Sequence, residues 1–197
     1  LAETVGLEPY ILEKFPHELD GGKRQLTGIA RALSLDPKFI VCDEPVSALD
    51  VSVQAKIINL LIRMKEKMGL SYLFISHDLS VVRHISDRVA IMYLGQIVEI
   101  ARTEDIFRNT LHPYAIALLS AVPQIDFSST AKRIVLKGDV PSPIDPKPGC
   151  RFAPRCWMAK EQCFVENPQL VEAASGHCVA CHFFQDSQAK AHDLIHG

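Results

Sequence analysis

No hydrophobic run in this chain approaches the ~20 residues that a membrane-spanning helix needs, so a spanning segment is not expected. Basic charge is not in surplus either. With 21 Lys and Arg against 23 Asp and Glu, the net charge is −2, whereas a nucleic-acid footprint needs clustered cations. The start shows no secretion-signal pattern. It opens on Leu1 rather than Met and reads as the middle of a helix, so a fragment or processed numbering is the simplest expectation. Low-complexity tracts and internal repeats are missing. At 48% apolar and 22% charged residues, the composition is that of a folded chain with one good core and room for a small appendage.

Six cysteines are present, but not as a disulfide framework would place them. Cys42 stands alone, and Cys150, Cys156, Cys163, Cys178 and Cys181 crowd into the last quarter. Bridges in a secreted domain are spread through its core. Crowding at one end suggests a local site.

Up to about Ala101 the pattern alternates helix and strand, as an α/β layer does. Phe39–Cys42 is a short apolar run ending in Asp43-Glu44, which suits a buried parallel strand. Val53–Met68 has helical spacing at Ile57, Leu60, Leu61, Met64 and Met68. Asp50 or Ser52 caps it and Gly69 ends it. Tyr72–Ser76 reads as the next buried strand, followed by His77-Asp78 and a helix over Leu79–Ile85. Arg88–Tyr93 and Ile97–Ala101 flank a hairpin turn at Leu94-Gly95-Gln96. Thr103–Val122 reads as helical. Prolines then accumulate toward Pro148, marking an extended connection before the cysteine-rich tail. The expected organisation is therefore two parts, 1–101 and 102–197.

Asp43 and Glu44 close a strand at the carboxyl edge of a parallel sheet, where ligands bind. Two adjacent carboxylates there can divide the work. One holds Mg²⁺ through water, and the other orients or deprotonates an attacking water. A solvated acidic loop is the plain alternative. "SALD" follows at Ser47–Asp50, and His77 stands just past the next strand, where it is either a phosphate donor or a turn residue. Upstream, "LDGGKRQLTGIARAL" opens a helix on the pair Gly21-Gly22, whose free N–H groups suit an anion. An ordinary glycine turn is the alternative there.

These four pieces, in this order and spacing, resemble the second half of an ABC transporter ATPase domain. The resemblance equates Leu19, Asp20, Gly21, Gly22 and Lys23 with the signature motif, Phe39–Glu44 with the Walker B strand, Ser47–Asp50 with the D-loop and His77 with the switch histidine. It implies that ATP and Mg²⁺ are bound, that Asp43 supports the ion, that Glu44 is the catalytic carboxylate and that His77 contacts the γ-phosphate. "LHPYAIALLSAVP" at Leu111–Pro123 and "KGDVPSPIDPKPGCRFAPRC" at Lys137–Cys156 narrow the resemblance to dipeptide and oligopeptide importers. The implied role is to energise peptide import, peripherally on the cytoplasmic face of the membrane. The implied partners are a second ATP-binding subunit, permease subunits and, indirectly, an extracytoplasmic peptide-binding protein, with no nucleic acid. A non-catalytic metal-binding or assembly relative, and an ABC ATPase acting on nucleic acid or the ribosome, are the alternatives.

Two departures stand out. No G-x-x-x-x-G-K-[ST] loop is present, since Gly22-Lys23 is preceded by His17 and followed by Arg24. A Q-loop segment is also absent, so the chain alone is not expected to hydrolyse ATP. Asp20 and Lys23 occupy positions where the family has Ser and Gln. Asp caps a helix as well as Ser does, but its charge would repel a phosphate, with Lys23 offsetting part of this.

In the tail, Cys150, Cys156, Cys163 and Cys181 fall as C-x5-C-x6-C-x17-C, wide for a zinc knuckle. Four thiolates suit either Zn²⁺ or an iron–sulfur cluster, and the resemblance favours a 4Fe–4S cluster. Cys178 is an alternative fourth ligand, and merely buried or free thiols are the plain alternative. His177 and His182 read as supporting or solvent-facing residues. Phe152, Trp157, Phe183 and Phe184 are expected to shield the site from water.

Overall fold

The computed structural model describes residues 1–122, 133–187 and 189, and it divides into two compact units, Leu1–Ile85 and Ser86–Gly197. The prolines' connection, expected over 123–148, lies partly outside the described residues.

In the first unit a short helix α1 (Ala2–Val5) and two 3-10 turns (Pro9–Glu13, Pro16–Glu18) lead into α2 (Gly21–Leu33). Strand β1 (Phe39–Asp43), helix α3 (Val51–Met68), strand β2 (Ser71–Ile75) and helix α4 (Leu79–Ile85) follow. Strands β1 and β2 are parallel and in register from Phe39 opposite Ser71 to Asp43 opposite Ile75. The chain reverses across α3, as a parallel pair requires. Asp50, rather than Ser52, caps α3: its Oδ1 accepts from Val53 N at 3.0 Å. Gly69 ends the helix in the left-handed conformation at φ 65°, which costs a glycine little.

The apolar stripe of α3 (Ile57, Ile58, Leu60, Leu61, Met64) packs with Val5, Leu7, Ile29, Leu33 and Val46 as the core. Ile40, Tyr72 and Phe74 join it from one face of the strand pair. The other face presents Phe39, Val41, Leu73 and Ile75 to solvent. The strands expected to be buried are therefore covered on one side only, and period-2 alternation divides their apolar residues between core and surface.

The second unit is built on an antiparallel sheet of order β3-β4-β6-β5, from β3 (Arg88–Tyr93), β4 (Gln96–Arg102), β5 (Val171–Ala174) and β6 (His177–Val179). Leu94 and Gly95, at φ 45° and 78°, make the two-residue turn between Tyr93 and Gln96. Positive φ at both positions matches the twist of a hairpin. Within the cysteine-rich tail a β5–β6 hairpin joins β4, with Glu99 opposite Val179 and Ile100 opposite Cys178. That pairing also places the β3–β4 hairpin in the tail's unit, whereas the sequence grouped it with residues 1–101.

The single helix expected over Thr103–Val122 is two, α5 (Thr103–Asn109) and α6 (Pro113–Ser120). Pro113 lacks an N–H to continue a helix and favours the first position of a new one. His112 caps α6, its Nδ1 accepting from Tyr114 N at 3.1 Å. A short helix α7 (Glu161–Val165) carries Cys163. Tyr93, Tyr114 and Phe152 cluster with ring centroids 4.7 to 5.4 Å apart, and edge-on and tilted packing suits their quadrupoles.

Candidate functional site

The carboxyl ends of β1 and β2 bring Glu44 and His77 together. Glu44 N donates to Ile75 O at 3.0 Å, extending the strand ladder by one bond. Glu44 itself sits at φ 43°, a conformation unfavourable for a side-chain-bearing residue. Its Oε1 lies 3.0 Å from His77 Nδ1. The hydrogen bond from His77 holds the Glu44 carboxyl below its usual range, and the same bond holds His77 above its own. Asp43 is exposed beside them.

The loop from Glu44 to Asp50 is pinned from behind by Gln54, a residue the sequence reading passed over. Its Nε2 donates to Val46 O at 2.9 Å and Leu49 O at 3.0 Å. Ser47 Oγ donates to Glu44 O at 3.1 Å. Asp50 accepts from Ser52 Oγ at 2.7 Å, which with its cap bond lowers its pKa. One signal was available in the sequence, because a polar side chain four residues past a helix cap can reach back over the preceding loop.

Asp20 caps α2, its Oδ1 accepting from Lys23 N at 2.8 Å, while its Oδ2 lies 3.0 Å from Lys23 Nζ. Both carboxylate oxygens are therefore engaged locally, and the pair is neutral as a unit. Those bonds lower the Asp20 pKa and raise that of Lys23. The glycines that follow have a packing reason of their own. A Cβ on Gly22 would lie 2.8 Å from Val53 Cγ1, and one on Gly21 would lie 3.0 Å from Leu49 Cδ2. Small residues here let the start of α2 close on the Ser47–Asp50 loop and the start of α3. Leu19 precedes the cap and packs against the core.

In the second unit Cys150, Cys156, Cys163 and Cys181 line one cavity of about 20 Å³, together with His112, Phe152, Met158, His182 and Phe183. None of the cysteines forms a disulfide, and Cys178 does not line the cavity. Phe152 is 1% exposed. Phe152 and Phe183 wall the cavity as expected, whereas Trp157 and Phe184 do not.

Neighbouring backbone at Phe152, Met158 and Phe183 favours the thiolates of Cys150, Cys156 and Cys181. Ala153 N donates to Cys150 O at 3.0 Å. Burial acts the other way and outweighs it. It pushes Cys156 up to about 12 and Cys181 up to about 11, with the neighbouring thiols adding to the rise. These thiols remain protonated unless a cationic group takes their protons' place.

Four thiols lining one space are the donor type that an iron–sulfur group or Zn²⁺ takes, and among the described residues no three His, Cys, Asp or Glu side chains are placed to hold one metal ion. Asp43 alone offers a divalent ion one carboxylate, which suits Mg²⁺ only when substrate phosphates complete its shell.

Cys42, buried in β1, is a small core residue with its pKa raised by burial. His182 Nε2 donates to Glu166 O at 3.0 Å. His177 is buried against Glu99. No helix among the described residues is long and apolar enough to cross a membrane.

Residues 98–163 match the family model described as "Oligopeptide/dipeptide transporter, C-terminal region". The chain is 52% identical over 192 residues to the putative oligopeptide transport ATP-binding protein YkfD of Bacillus subtilis, covering 96% of this chain and 58% of that protein. It is 54% identical over 186 residues to the oligopeptide transport ATP-binding protein AppF of Bacillus subtilis, covering 93% and 56%. To the dipeptide transport ATP-binding protein DppF of Haemophilus influenzae it is 51% identical over 181 residues, covering 92% and 55%. The chain thus spans a little over half the length of these relatives.

Among solved structures, a nucleotide-free ATP-binding cassette from an ABC transporter superposes with a TM-score of 0.54 at 31% identity, covering 59% of this chain and 46% of that one. The ADP conformation of MJ1267, an ATP-binding cassette of an ABC transporter, gives 0.52 at 28%, covering 61% and 47%. The α/β fold is therefore that of an ATP-binding cassette over the matched part. Over more than nine-tenths of its length the chain is thus similar to oligopeptide and dipeptide transport ATP-binding proteins, and it resembles a C-terminal portion of them.

Proposed function

We propose that this chain supplies the catalytic-carboxylate half of an ATP-hydrolysing subunit that energises import of dipeptides and oligopeptides. The observation that carries this reading is the 3.0 Å contact between Glu44 and His77 at the carboxyl ends of two parallel strands. The printed functions of the relatives support the substrate class.

In this reading Glu44 orients and deprotonates the attacking water, His77 donates to the γ-phosphate, and Asp43 holds Mg²⁺ through water. Glu44 favours the protonated ring, and an imidazolium can keep Nδ1–H on Glu44 while its Nε2–H donates to the phosphate. The start of α2, with Leu19 to Lys23, faces a nucleotide held by an opposite ATP-binding subunit, and Asp50 shapes the loop between. Neutralisation of Asp20 by Lys23 makes this contact less repulsive than an isolated carboxylate would be. The remaining partners are membrane permease subunits, supplied indirectly by an extracytoplasmic peptide-binding protein, with the subunit peripheral on the cytoplasmic face.

Cys150, Cys156, Cys163 and Cys181 hold a 4Fe–4S cluster in this reading, supported by their shared cavity. When bound, such a group supplies a covalent tie between distant loops and a one-electron centre. Zn²⁺ is the alternative occupant. The test has two parts. Glu44→Gln in a chain that includes a phosphate-binding loop is expected to bind ATP and to lose turnover by at least a hundredfold, in line with removal of a catalytic base. Unreduced hydrolysis would remove Glu44 from that role. Anaerobic purification is expected to return about four irons and four sulfides per chain, and zinc alone would replace the cluster in the reading.

A further inference from the structure

Two histidines outside the ligand set, His112 and His182, line the cysteine cavity. His112 lines it, is 2% exposed, and is fixed from two sides. Its backbone N donates to Glu99 Oε2 at 2.8 Å, and its ring Nδ1 accepts from Tyr114 N at 3.1 Å. Its ring also packs 5.8 Å from that of Phe152.

The tautomer follows from these contacts. A nitrogen that accepts a hydrogen bond presents its lone pair, so Nδ1 carries no proton. The neutral ring then has its one proton on Nε2. An N–H nitrogen has no lone pair to offer a metal, which excludes His112 as a further ligand in this arrangement. It does have a hydrogen to donate, and among the described residues no acceptor engages it. The other cavity histidine, His182, has already committed its Nε2 to Glu166 O at 3.0 Å.

We propose that His112 is a positioning residue for the cluster, donating its Nε2–H to a cluster sulfur or a ligand sulfur and so stabilising the reduced, more negative state. This inference rests on the reading of the four cysteines as cluster ligands. The chemistry is general: hydrogen bonds to the sulfurs of such clusters raise their reduction potential. The same histidine caps α6, so the helix start and the cluster would be locked to each other through one ring.

Two variants separate the roles of the ring. His112→Asn places a carbonyl oxygen near the position of Nδ1 and keeps the cap on Tyr114 N, but removes the donor edge. His112→Gln reaches the Nε2 position with an N–H and gives up the cap. The experiment is reconstitution of each chain with ferrous iron and sulfide under argon, followed by a redox titration read from the visible and paramagnetic spectra. The expected result for His112→Asn is a roughly tenfold shift of the equilibrium toward the oxidised state, about 59 mV lower for one electron. His112→Gln is expected to stay near the unsubstituted value. Equal potentials in all three chains would overturn the role of His112 and leave the cluster standing.

Failure of the unsubstituted chain to take up iron would overturn both readings together. Should His112→Asn not load, the unsubstituted reduced cluster decides the matter. Pulsed paramagnetic resonance is expected to show a nitrogen coupling from ring-labelled histidine that His112→Gln abolishes. No such coupling would sink the proposal.

Discussion

His177 Nε2 lies 2.7 Å from Oε1 of Glu99, a carboxylate with no solvent exposure. The same carboxylate accepts from Thr110 Oγ1 at 2.9 Å and from the backbone N–H groups of Leu111 and His112, each at 2.8 Å. One side chain on β4 thus satisfies the break between α5 and α6 and ties it to β6. Removing an acceptor from two buried and two part-buried donors leaves each of them without its partner. Glu99→Ala is expected to destabilise the second unit by about 3–5 kcal/mol. Urea unfolding followed by near-ultraviolet dichroism measures this, and an unchanged midpoint would show that the hub carries no stability.

Gly149 is expected to tolerate no side chain. It sits at φ 93°, and a Cβ there would lie 2.5 Å from Cys163 O and 2.6 Å from Phe164 C. Its neighbour Cys150 donates its backbone N–H to Cys163 O at 2.8 Å. Gly149→Ala must therefore push apart two of the four cavity cysteines, at a cost of about 3 kcal/mol in strain and lost contacts. Faster labelling of Cys150 and Cys163 by a thiol reagent would reveal the opening. Labelling rates equal to those of the unsubstituted chain would mean that the loop relaxes without cost.

The Glu44–His77 pair makes a prediction with a definite sign. His77 titrates above its ordinary value and Glu44 below its own, each because of the other. The His77 contribution to stability is complete below the unfolded histidine pKa and is lost as pH rises through the raised folded value. The Glu44 contribution is complete above the unfolded glutamate pKa and is lost as pH falls through the lowered folded value. The pair therefore contributes most between those two limits. Glu44→Gln should bring the His77 titration, followed by its ring-proton chemical shift, back down toward the ordinary histidine range. An unmoved titration would show that the contact does not persist in solution.

Gln54→Ala removes both side-chain bonds that hold the loop behind Glu44. The expected loss is about 1–2 kcal/mol for two part-buried hydrogen bonds to backbone. Faster amide exchange confined to Ser47–Asp50 would identify the loop as the element released. Exchange that rises uniformly through the first unit would instead assign Gln54 a general packing role.

Most of the first unit was legible in the sequence because its elements carry their own punctuation. Asp20, Asp50 and Gly69 mark helix ends, and the stripe on Val51–Met68 gives the core face directly. The second unit was less legible. β5 and β6 are only four and three residues long, too short for alternation to be read, and they exist because β4 offers them an edge. The helix break at Thr110–His112 depends on Glu99, a residue some dozen positions earlier that no local pattern connects to it. The four cysteines could be grouped by spacing, but His112 and Met158 beside them could not, since only the fold brings these into the same cavity. Glu99 itself reads in sequence as an ordinary polar residue of a strand.

The strand pair of the first unit has a practical consequence. Phe39, Val41, Leu73 and Ile75 form an uncovered apolar face, and each of the two strands has one long side with no ladder partner among the described residues. Such a surface recruits further strands and apolar faces without regard to their source. The solubility of this polypeptide therefore depends on how much of it is in the tube. Light scattering should climb steeply with concentration, and single polar replacements at Val41 or Leu73 should delay that climb while leaving the cysteine loop of the other unit untouched.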